Sequence, residues 1–201
     1  MTLDRYRETA DRALRPAVDA AVAVGLTPNG ISVLAFATAL LAGSVYWLAT
    51  PGSLLLLGGA VLVFANGVLD VLDGMVARRT GTDSDAGDLL DHVLDRYADI
   101  AVLVGLAGGT GRFGLGLAAV TGVLMTSYLG TQAQAVGLDR VYGGAVGRAD
   151  RLAIVGVVTA IAAFWTPTVA GLSLAGLLLV FFAVVGHLTA LQRFYGAMRA
   201  L

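Results

Sequence analysis

The chain has 201 residues, 57% of them hydrophobic, and a mean hydropathy of +0.81, which excludes an ordinary soluble domain and indicates a membrane protein. Its formal net charge of -1 excludes no class of partner by itself, because the sign matters only once the charged residues are placed along the chain. Without cysteine, the chain can form neither disulfides nor thiolate metal ligands.

The first predicted element, over residues 3–23, alternates charged and apolar residues at helical spacing. This pattern predicts an amphipathic helix that lies on the membrane surface rather than crossing it. The charged residues near the start of the chain also lead us to expect no cleavable signal peptide, which needs an apolar central region.

Six apolar stretches follow, most of them near the roughly 20 residues that cross a hydrocarbon core. Thr27 can cap the first stretch, and Pro28 suits its first turn. The predicted spans are residues 28–50, 54–77, 87–106, 113–134, 152–165 and 169–191, with a polar loop at 78–85. Since the turns are too short to separate domains, we expect one all-α membrane domain over residues 1–201, with a six-transmembrane-helix bundle over 27–199.

An even number of spans puts both termini on the same side of the membrane. The arginines outside the spans fall on that side, with Arg112 as the exception. By the positive-inside rule, the termini and the loop at 78–85 are therefore cytoplasmic. Many glycine and alanine residues, including Gly114 and Gly116, favour close helix packing and association into a homodimer.

Four aspartates interrupt the second and third spans near the loop that joins them. Asp70 and Asp73 are three residues apart, and Asp91 and Asp95 are four apart, so each pair shares one face of a helix. Because the joining loop is short, we expect the two helices to be antiparallel neighbours whose acids meet near the cytoplasmic end. Carboxylates that converge in a region of low dielectric repel one another, so a cation is needed between them.

The predicted site offers only oxygen ligands, because the chain has no thiolates and no paired histidines there. Such ligands suit Mg2+ or Mn2+. Gly74, Ala77 and Gly87 remove side-chain bulk beside the acids, as expected where a nucleotide or pyrophosphate approaches the backbone. Two other interpretations stand beside this one. The acids can be solvated helix ends paired with nearby arginines (Arg78, Arg79 and Arg96), or they can be the relay of an ion or proton transporter.

The acids belong to a longer pattern, D-x2-D-G-x2-A-R-x8-G-x3-D-x3-D, which resembles the signature of the CDP-alcohol phosphotransferase family. It is formed by Asp70, Asp73, Gly74, Ala77, Arg78, Gly87, Asp91 and Asp95. The family's six helices behind an amphipathic helix are similar too, so the resemblance covers essentially the whole chain. A relay would not need small residues and an arginine at fixed offsets from the acids, so the pattern favours an enzyme over a transporter.

This resemblance implies a reaction of phospholipid biosynthesis, in which an alcohol attacks the lipid-side phosphate of a CDP-linked lipid and CMP leaves. It implies that Asp70, Asp73 and Asp91 hold two divalent ions, Mg2+ or Mn2+, and that Asp95 is the general base and a further ligand. The positions that match the CMP part of the donor site are Gly74, Ala77, Arg78 and Gly87. The implied donor is CDP-diacylglycerol or CDP-archaeol, and the implied location is the cytoplasmic membrane, among its lipids and with no nucleic-acid partner.

The acceptor is predicted from arginines at the other cytoplasmic helix ends. Arg148 and Arg151 lie three apart, and Arg193 follows the last span, so all three can converge beside the acids as a phosphate receptor. They resemble the basic pocket of family members whose acceptor is inositol phosphate or glycerol phosphate. The same arginines can instead serve membrane topology alone. Inositol-phosphate enzymes also tend to carry a basic residue where this chain has Gly130, so an unphosphorylated alcohol such as serine is the alternative acceptor.

Overall fold

The structure, a computed structural model, describes residues 7–138 and 146–201, with side-chain surroundings from residue 12 onward. The described residues form seven α-helices, joined by short turns, and the β-type pairing among them is a single bridge between Val169 and Leu172. The helices are α1 (Arg7–Ala23), α2 (Pro28–Leu48), α3 (Leu54–Thr80), α4 (Asp85–Thr110), α5 (Phe113–Ala135), α6 (Arg148–Ala162) and α7 (Leu174–Ala200).

Every predicted helix has a counterpart, although several ends differ from the prediction. Helix α3 continues to Thr80, so the polar loop is residues 81–84 rather than 78–85, and it starts at Gly81 in the left-handed conformation with a φ of 64°. Helix α7 begins at Leu174 rather than 169, because Val169 and Leu172 exchange backbone hydrogen bonds of 3.0 Å in a tight turn. Residues 3–6 of the predicted surface helix lie outside the described residues.

Side-chain caps fix where the helices nearest the loop begin. The Thr27 hydroxyl accepts a hydrogen bond from the Gly30 N–H at 3.1 Å, with Pro28 as the first helical residue, which confirms the predicted start of α2. The Ser84 hydroxyl likewise accepts from the Gly87 N–H at 3.1 Å and starts α4. The Ser84 cap thus fixes the start of α4, which carries Asp91 and Asp95, and the Thr27 cap fixes the start of α2.

Four of the helices, α2, α3, α5 and α7, are long and apolar enough to cross a membrane. Helix α6 has 15 residues, and α4 carries aspartates and Arg96 in its first half. The described part of the chain is thus an all-helical protein with four candidate membrane spans, in agreement with the membrane class predicted from composition.

Helix α2 is the centre of the packing. It contacts both α3 and α4 extensively, while α5 packs on α7 and α6 packs on α3. Helices α3 and α4 were predicted to pack directly on each other, and this prediction is wrong. Few direct contacts join the two helices, because each of them packs on α2 instead. The two acid-bearing helices are therefore held a small distance apart, with an opening between them.

Two glycine pairs allow the closest of these contacts. A Cβ atom added to Gly105 on α4 would lie 2.2 Å from the carbonyl oxygen of Gly43 on α2. A Cβ atom on Gly186 of α7 would lie 2.7 Å from the carbonyl carbon of Gly122 on α5. In both pairs the helix backbones touch directly, as small residues permit within a membrane.

We predict that Gly105→Ala lowers the thermal stability of the purified protein in detergent. The new methyl group must push α4 away from α2, and overpacking of this kind costs about 1–3 kcal/mol. Gly114→Ala is the matched control, since a Cβ atom there meets nothing within 4 Å and alanine favours a helix. An unchanged melting temperature for Gly105→Ala would contradict the close backbone contact.

Candidate functional site

Three aspartates from two helices meet at one end of the bundle. Asp70 of α3 and Asp91 and Asp95 of α4 each offer a carboxylate oxygen, and these oxygens all lie within 4.8 Å of one another. All three residues are half-buried. The sequence prediction that the acids of the two helices converge is thus confirmed for these three.

The fourth predicted acid, Asp73, lies apart from this group. It is buried, with 6% of its surface exposed, and its Oδ2 accepts a hydrogen bond of 2.8 Å from the Ser32 hydroxyl of α2. Residues three apart on a helix project about 60° from each other, so Asp73 turns towards α2 while Asp70 turns towards α4. Ser32 therefore holds Asp73 on the wall between the two helices.

The opening between α3 and α4 is a cavity of about 420 Å³. Its lining includes all four residues that were predicted to contact the nucleotide, together with two of the acids: Gly74, Ala77, Arg78, Gly87, Asp73 and Asp91. The two glycines keep this wall open. A Cβ atom on Gly87 would lie 3.3 Å from Oδ1 of Asn29, and one on Gly74 would lie 3.3 Å from Nη1 of Arg78.

Arg148 reaches into the acidic group from the first turn of α6. Its Nη2 lies 2.6 Å from Oδ1 of Asp95, and its Nη1 contacts Oδ1 of Asp70. The guanidinium thus bridges α3 and α4 and supplies positive charge where the carboxylates converge. Arg148 was predicted to bind the acceptor, but in this structure it is the direct counter-ion of two predicted metal ligands.

The other two predicted acceptor arginines are held by other partners. Arg151 donates from Nη2 to Oδ2 of Asp99 at 2.7 Å, and Arg193 donates from Nη1 to the carbonyl oxygen of Thr126 on α5 at 2.6 Å. Both arginines are buried, and neither is among the residues that line the 420 Å³ cavity. Among the contacts that the structure describes, Arg148 is the one of these three arginines that directly contacts the predicted metal ligands.

Arg96 of α4 connects the acidic group, through Asp99, to Arg151. Its Nη2 lies 3.6 Å from Oδ2 of Asp95 and 3.7 Å from Oδ2 of Asp99, and its Nη1 donates to the Ser127 hydroxyl of α5. Charges of opposite sign thus alternate from the acidic group to the interior of the bundle. The order is Asp70, Arg148, Asp95, Arg96, Asp99, Arg151.

Three of these arginines keep a donor without a partner. The Nε atoms of Arg96, Arg148 and Arg151 are buried and have no hydrogen-bond partner among the described residues. A buried donor of this kind costs free energy when it is left unsatisfied, and more when it is charged. Anionic oxygen groups such as phosphate satisfy several guanidinium donors at once.

The acidic group fits a hard divalent cation. Its ligand atoms are all carboxylate oxygens, which is the chemistry that Mg2+ and Mn2+ prefer, and Asp70, Asp91 and Asp95 already lie at mutual distances suited to one ion. The arginine that bridges two of these acids occupies a place where a cation is electrostatically favourable. The residues present therefore suit the metal that the sequence predicted.

Two contributors were missed by the sequence prediction. Asp99 is four residues after Asp95, the same one-face spacing that identified Asp91 and Asp95, so a signal for it existed. Ser32 gave no comparable signal, because its role depends on how α2 packs against α3. Its contact with Asp73 spans 41 positions of the chain.

Comparison with known proteins places this geometry in a family. The model of the CDP-alcohol phosphatidyltransferase family matches residues 25–191. The chain is similar to an archaetidylinositol phosphate synthase of Pyrococcus horikoshii, with 29% identity over 99% of this chain and 98% of that protein. It is 33% identical to the enzyme of the same name from Methanothermobacter thermautotrophicus, over 95% of this chain and 91% of that protein.

The fold is also similar to solved structures of Mycobacterium tuberculosis phosphatidylinositol phosphate synthase. The complex of that enzyme with manganese and citrate has a TM-score of 0.78 and 27% identity, over 91% of this chain and 88% of that one. The same enzyme with CDP-DAG bound has a TM-score of 0.77, over 92% and 94% of the two chains. The family match over most of the chain, together with these relatives, shows that this chain belongs to the CDP-alcohol phosphatidyltransferase family.

Proposed function

We propose that this chain transfers a phosphatidyl- or archaetidyl-type group from a CDP-lipid to a hydroxyl of inositol phosphate and releases CMP. One observation carries the proposal: the nucleotide-sized cavity lined by Gly74, Ala77, Arg78 and Gly87 adjoins a three-carboxylate group. A cation site beside a small-residue wall is what a pyrophosphate donor requires, because both its charge and its bulk must be accommodated.

The donor is a CDP-lipid that enters between α3 and α4. The cavity volume of about 420 Å³ falls in the range of about 300–1,000 Å³ typical of small-molecule sites. The related Mycobacterium tuberculosis enzyme binds CDP-DAG, which supports a donor of this class. CDP-diacylglycerol and CDP-archaeol share the head group that the cavity would bind, and they differ in tails that face lipid.

The metal site consists of Asp70, Asp73, Asp91 and Asp95, which we assign to two divalent ions, Mg2+ or Mn2+. Bound there, the ions would offset the charge of the pyrophosphate and stabilise the departing CMP. Asp95 is the residue that we assign to take the proton of the attacking hydroxyl, since it is the member of the acidic group that contacts both Arg148 and Arg96. The related enzyme that binds manganese supports this choice of ions.

The acceptor is a phosphorylated polyol held by Arg148, Arg151 and Arg193. Support comes from the buried Nε atoms of Arg148 and Arg151, which have no partner among the described residues, and from the relatives, which are named archaetidylinositol phosphate synthases. Glycerol phosphate offers the same phosphate to the same donors. If these arginines only set the orientation of the chain in the membrane, the expected acceptor is an unphosphorylated alcohol such as serine.

The architecture that suits this reaction is a single membrane domain of six spans, α2 to α7, with α1 on the cytoplasmic surface. Val18 and Ala21 of α1 are buried against Leu72 and Val76 of α3, and Arg79 lies 3.6 Å from Asp19. These contacts support docking of α1 across the ends of the spans. The arginine distribution favours a cytoplasmic site, and the small residues favour a homodimer in the cell membrane.

We predict that the purified protein releases CMP from CDP-diacylglycerol or CDP-archaeol when Mg2+ or Mn2+ and inositol phosphate are present. Asp95→Asn should lower kcat about 10²–10⁴-fold, because the proton acceptor is lost. Asp19→Asn is the matched carboxylate-to-amide control, since Asp19 is exposed on α1, where it pairs with Arg79, and is not among the residues that line the 420 Å³ cavity. No CMP release with any acceptor would contradict the enzyme, and ion flux in proteoliposomes would then support the transporter.

We predict that Arg151→Gln and Arg193→Gln each raise the KM for inositol phosphate about 10–100-fold while the KM for the CDP-lipid stays unchanged. The expected rise in KM corresponds to the loss of one charge-assisted hydrogen bond, which contributes about 1.5–3 kcal/mol. Arg199→Gln is the control, because Arg199 is exposed and rests on the Tyr195 ring. The panel of acceptors is inositol phosphate, glycerol phosphate, serine and free inositol. Unchanged use of the preferred acceptor by both variants would exclude a phosphate pocket.

We predict that Arg148→Gln increases the affinity of the protein for Mn2+, measured by titration of free Mn2+ with electron paramagnetic resonance. The substitution removes a cation that competes for Asp70 and Asp95. Arg112→Gln, at the opposite end of the bundle, should leave the affinity unchanged. Weaker Mn2+ binding by Arg148→Gln would show that the arginine supports the metal rather than competing with it.

A further inference from the structure

Asp99 is a buried acid that the proposed reaction does not use. It lies one turn beyond Asp95 on α4, is 6% exposed, and is not a member of the three-carboxylate group. Its Oδ2 accepts the 2.7 Å hydrogen bond from Nη2 of Arg151, and Nη2 of Arg96 approaches it to 3.7 Å. Ionisable groups inside membrane bundles are costly and are usually functional, so this acid needs an explanation.

A contribution to stability does not by itself explain why Asp99 is buried here. A buried ion pair often contributes less to stability than apolar residues of the same volume would, because both charges lose their hydration. Apart from Arg96, the pair is surrounded by apolar residues that include Val102, Leu103, Val155 and Phe182. An apolar pair would fit the same place between α4 and α6 without any desolvation cost.

A role as a metal ligand does not fit either. The carboxylate of Asp99 is engaged by Arg151, with Arg96 nearby, and both are cations that would be displaced by a metal ion. The acid instead stands at the inner end of the alternating series of charges, next to the arginine that we assign to the acceptor. Its effect on the reaction must therefore pass through Arg151.

We propose that Asp99 is a positioning residue for the acceptor, which fixes the guanidinium of Arg151 so that its remaining donors are presented to the acceptor phosphate. Arginine has five N–H donors in a planar, rigid fork, so holding Nη2 restricts the direction of the others. The Nε of Arg151 is buried and has no partner among the described residues, which leaves a donor for the phosphate. This inference rests on the proposed function, specifically on an acceptor that carries a phosphate.

Arg96 completes the arrangement by joining Asp99 to the proposed base. It lies between Asp95 and Asp99, at 3.6 Å and 3.7 Å, and also donates to Ser127 of α5. The phosphate-binding arginine and the carboxylate that takes the proton are thus held in one hydrogen-bonded and ion-paired series. The hydroxyl that reacts is placed relative to Asp95 when the phosphate is placed relative to Arg151.

The test compares Asp99→Asn, Arg151→Gln and the double variant in purified protein. Asp99→Asn removes the charge at constant shape, and we expect it to raise the KM for inositol phosphate about tenfold while the KM for the CDP-lipid changes less than twofold. The double variant should have the same acceptor KM as Arg151→Gln alone, because the effect of Asp99 on acceptor binding passes through Arg151. Inositol phosphate should also raise the melting temperature of the wild-type protein more than that of Asp99→Asn.

Tyr46→Phe is the matched control for a merely structural effect. It breaks another buried hydrogen bond of α6, the 2.8 Å contact between the Tyr46 and Thr159 hydroxyls. We expect a lower melting temperature with an unchanged KM for inositol phosphate. If Asp99→Asn does not fold, the double variant decides the question, because it removes both charges together.

Three results would overturn the inference: a wild-type acceptor KM in Asp99→Asn, an equal rise in the KM of donor and acceptor, or a double variant much weaker for the acceptor than Arg151→Gln. A wild-type protein that releases CMP with serine but not with inositol phosphate would instead refute the proposed function. The two failures are therefore distinguishable.

Discussion

The structure depends on balancing negative charge at one end of an apolar helix bundle. Asp70, Asp91 and Asp95 approach one another closely enough to share an ion, and such a group in a region of low dielectric is unstable without cations. Arg148 supplies the first of these, and Arg96 continues the balance towards Asp99 and Arg151. The start of α6 meets this requirement, because Arg148 in its first turn contacts an acid of α3 and an acid of α4.

Helix α2 gives this charged end its shape. It packs on both α3 and α4 through backbone contacts such as that between Gly43 and Gly105, and it holds the two acid-bearing helices apart. The resulting opening is lined by residues from both helices and has the size of a small-molecule site. Ser32, near the start of α2, also orients Asp73 on the wall of this opening. Helix α2 thus both separates the two acid-bearing helices and orients one of their acids.

The sequence allowed the helices, the membrane class and the meeting of Asp70, Asp91 and Asp95 to be predicted, since all of these follow from hydrophobic runs and from spacing along single helices. Asp73 was assigned to the same cluster because spacing cannot tell which of two nearby faces a third helix will cover. Arg148 was recognised as a cytoplasmic cation, but its partner depends on the packing of α6 against α3. Contacts of that kind join residues far apart in the chain, and no local pattern encodes them.

The bridge from Arg148 to Asp70 and Asp95 has a consequence for how this protein matures. Because the two carboxylates already have a counter-ion supplied by the chain, the helices that carry them can assemble before any metal arrives. Folding and the loading of the proposed metal would then be separate events, unlike in small zinc domains, where metal binding itself provides the folding free energy. Ion exchange at a finished site, rather than metal-driven assembly, is the way such a centre would be filled.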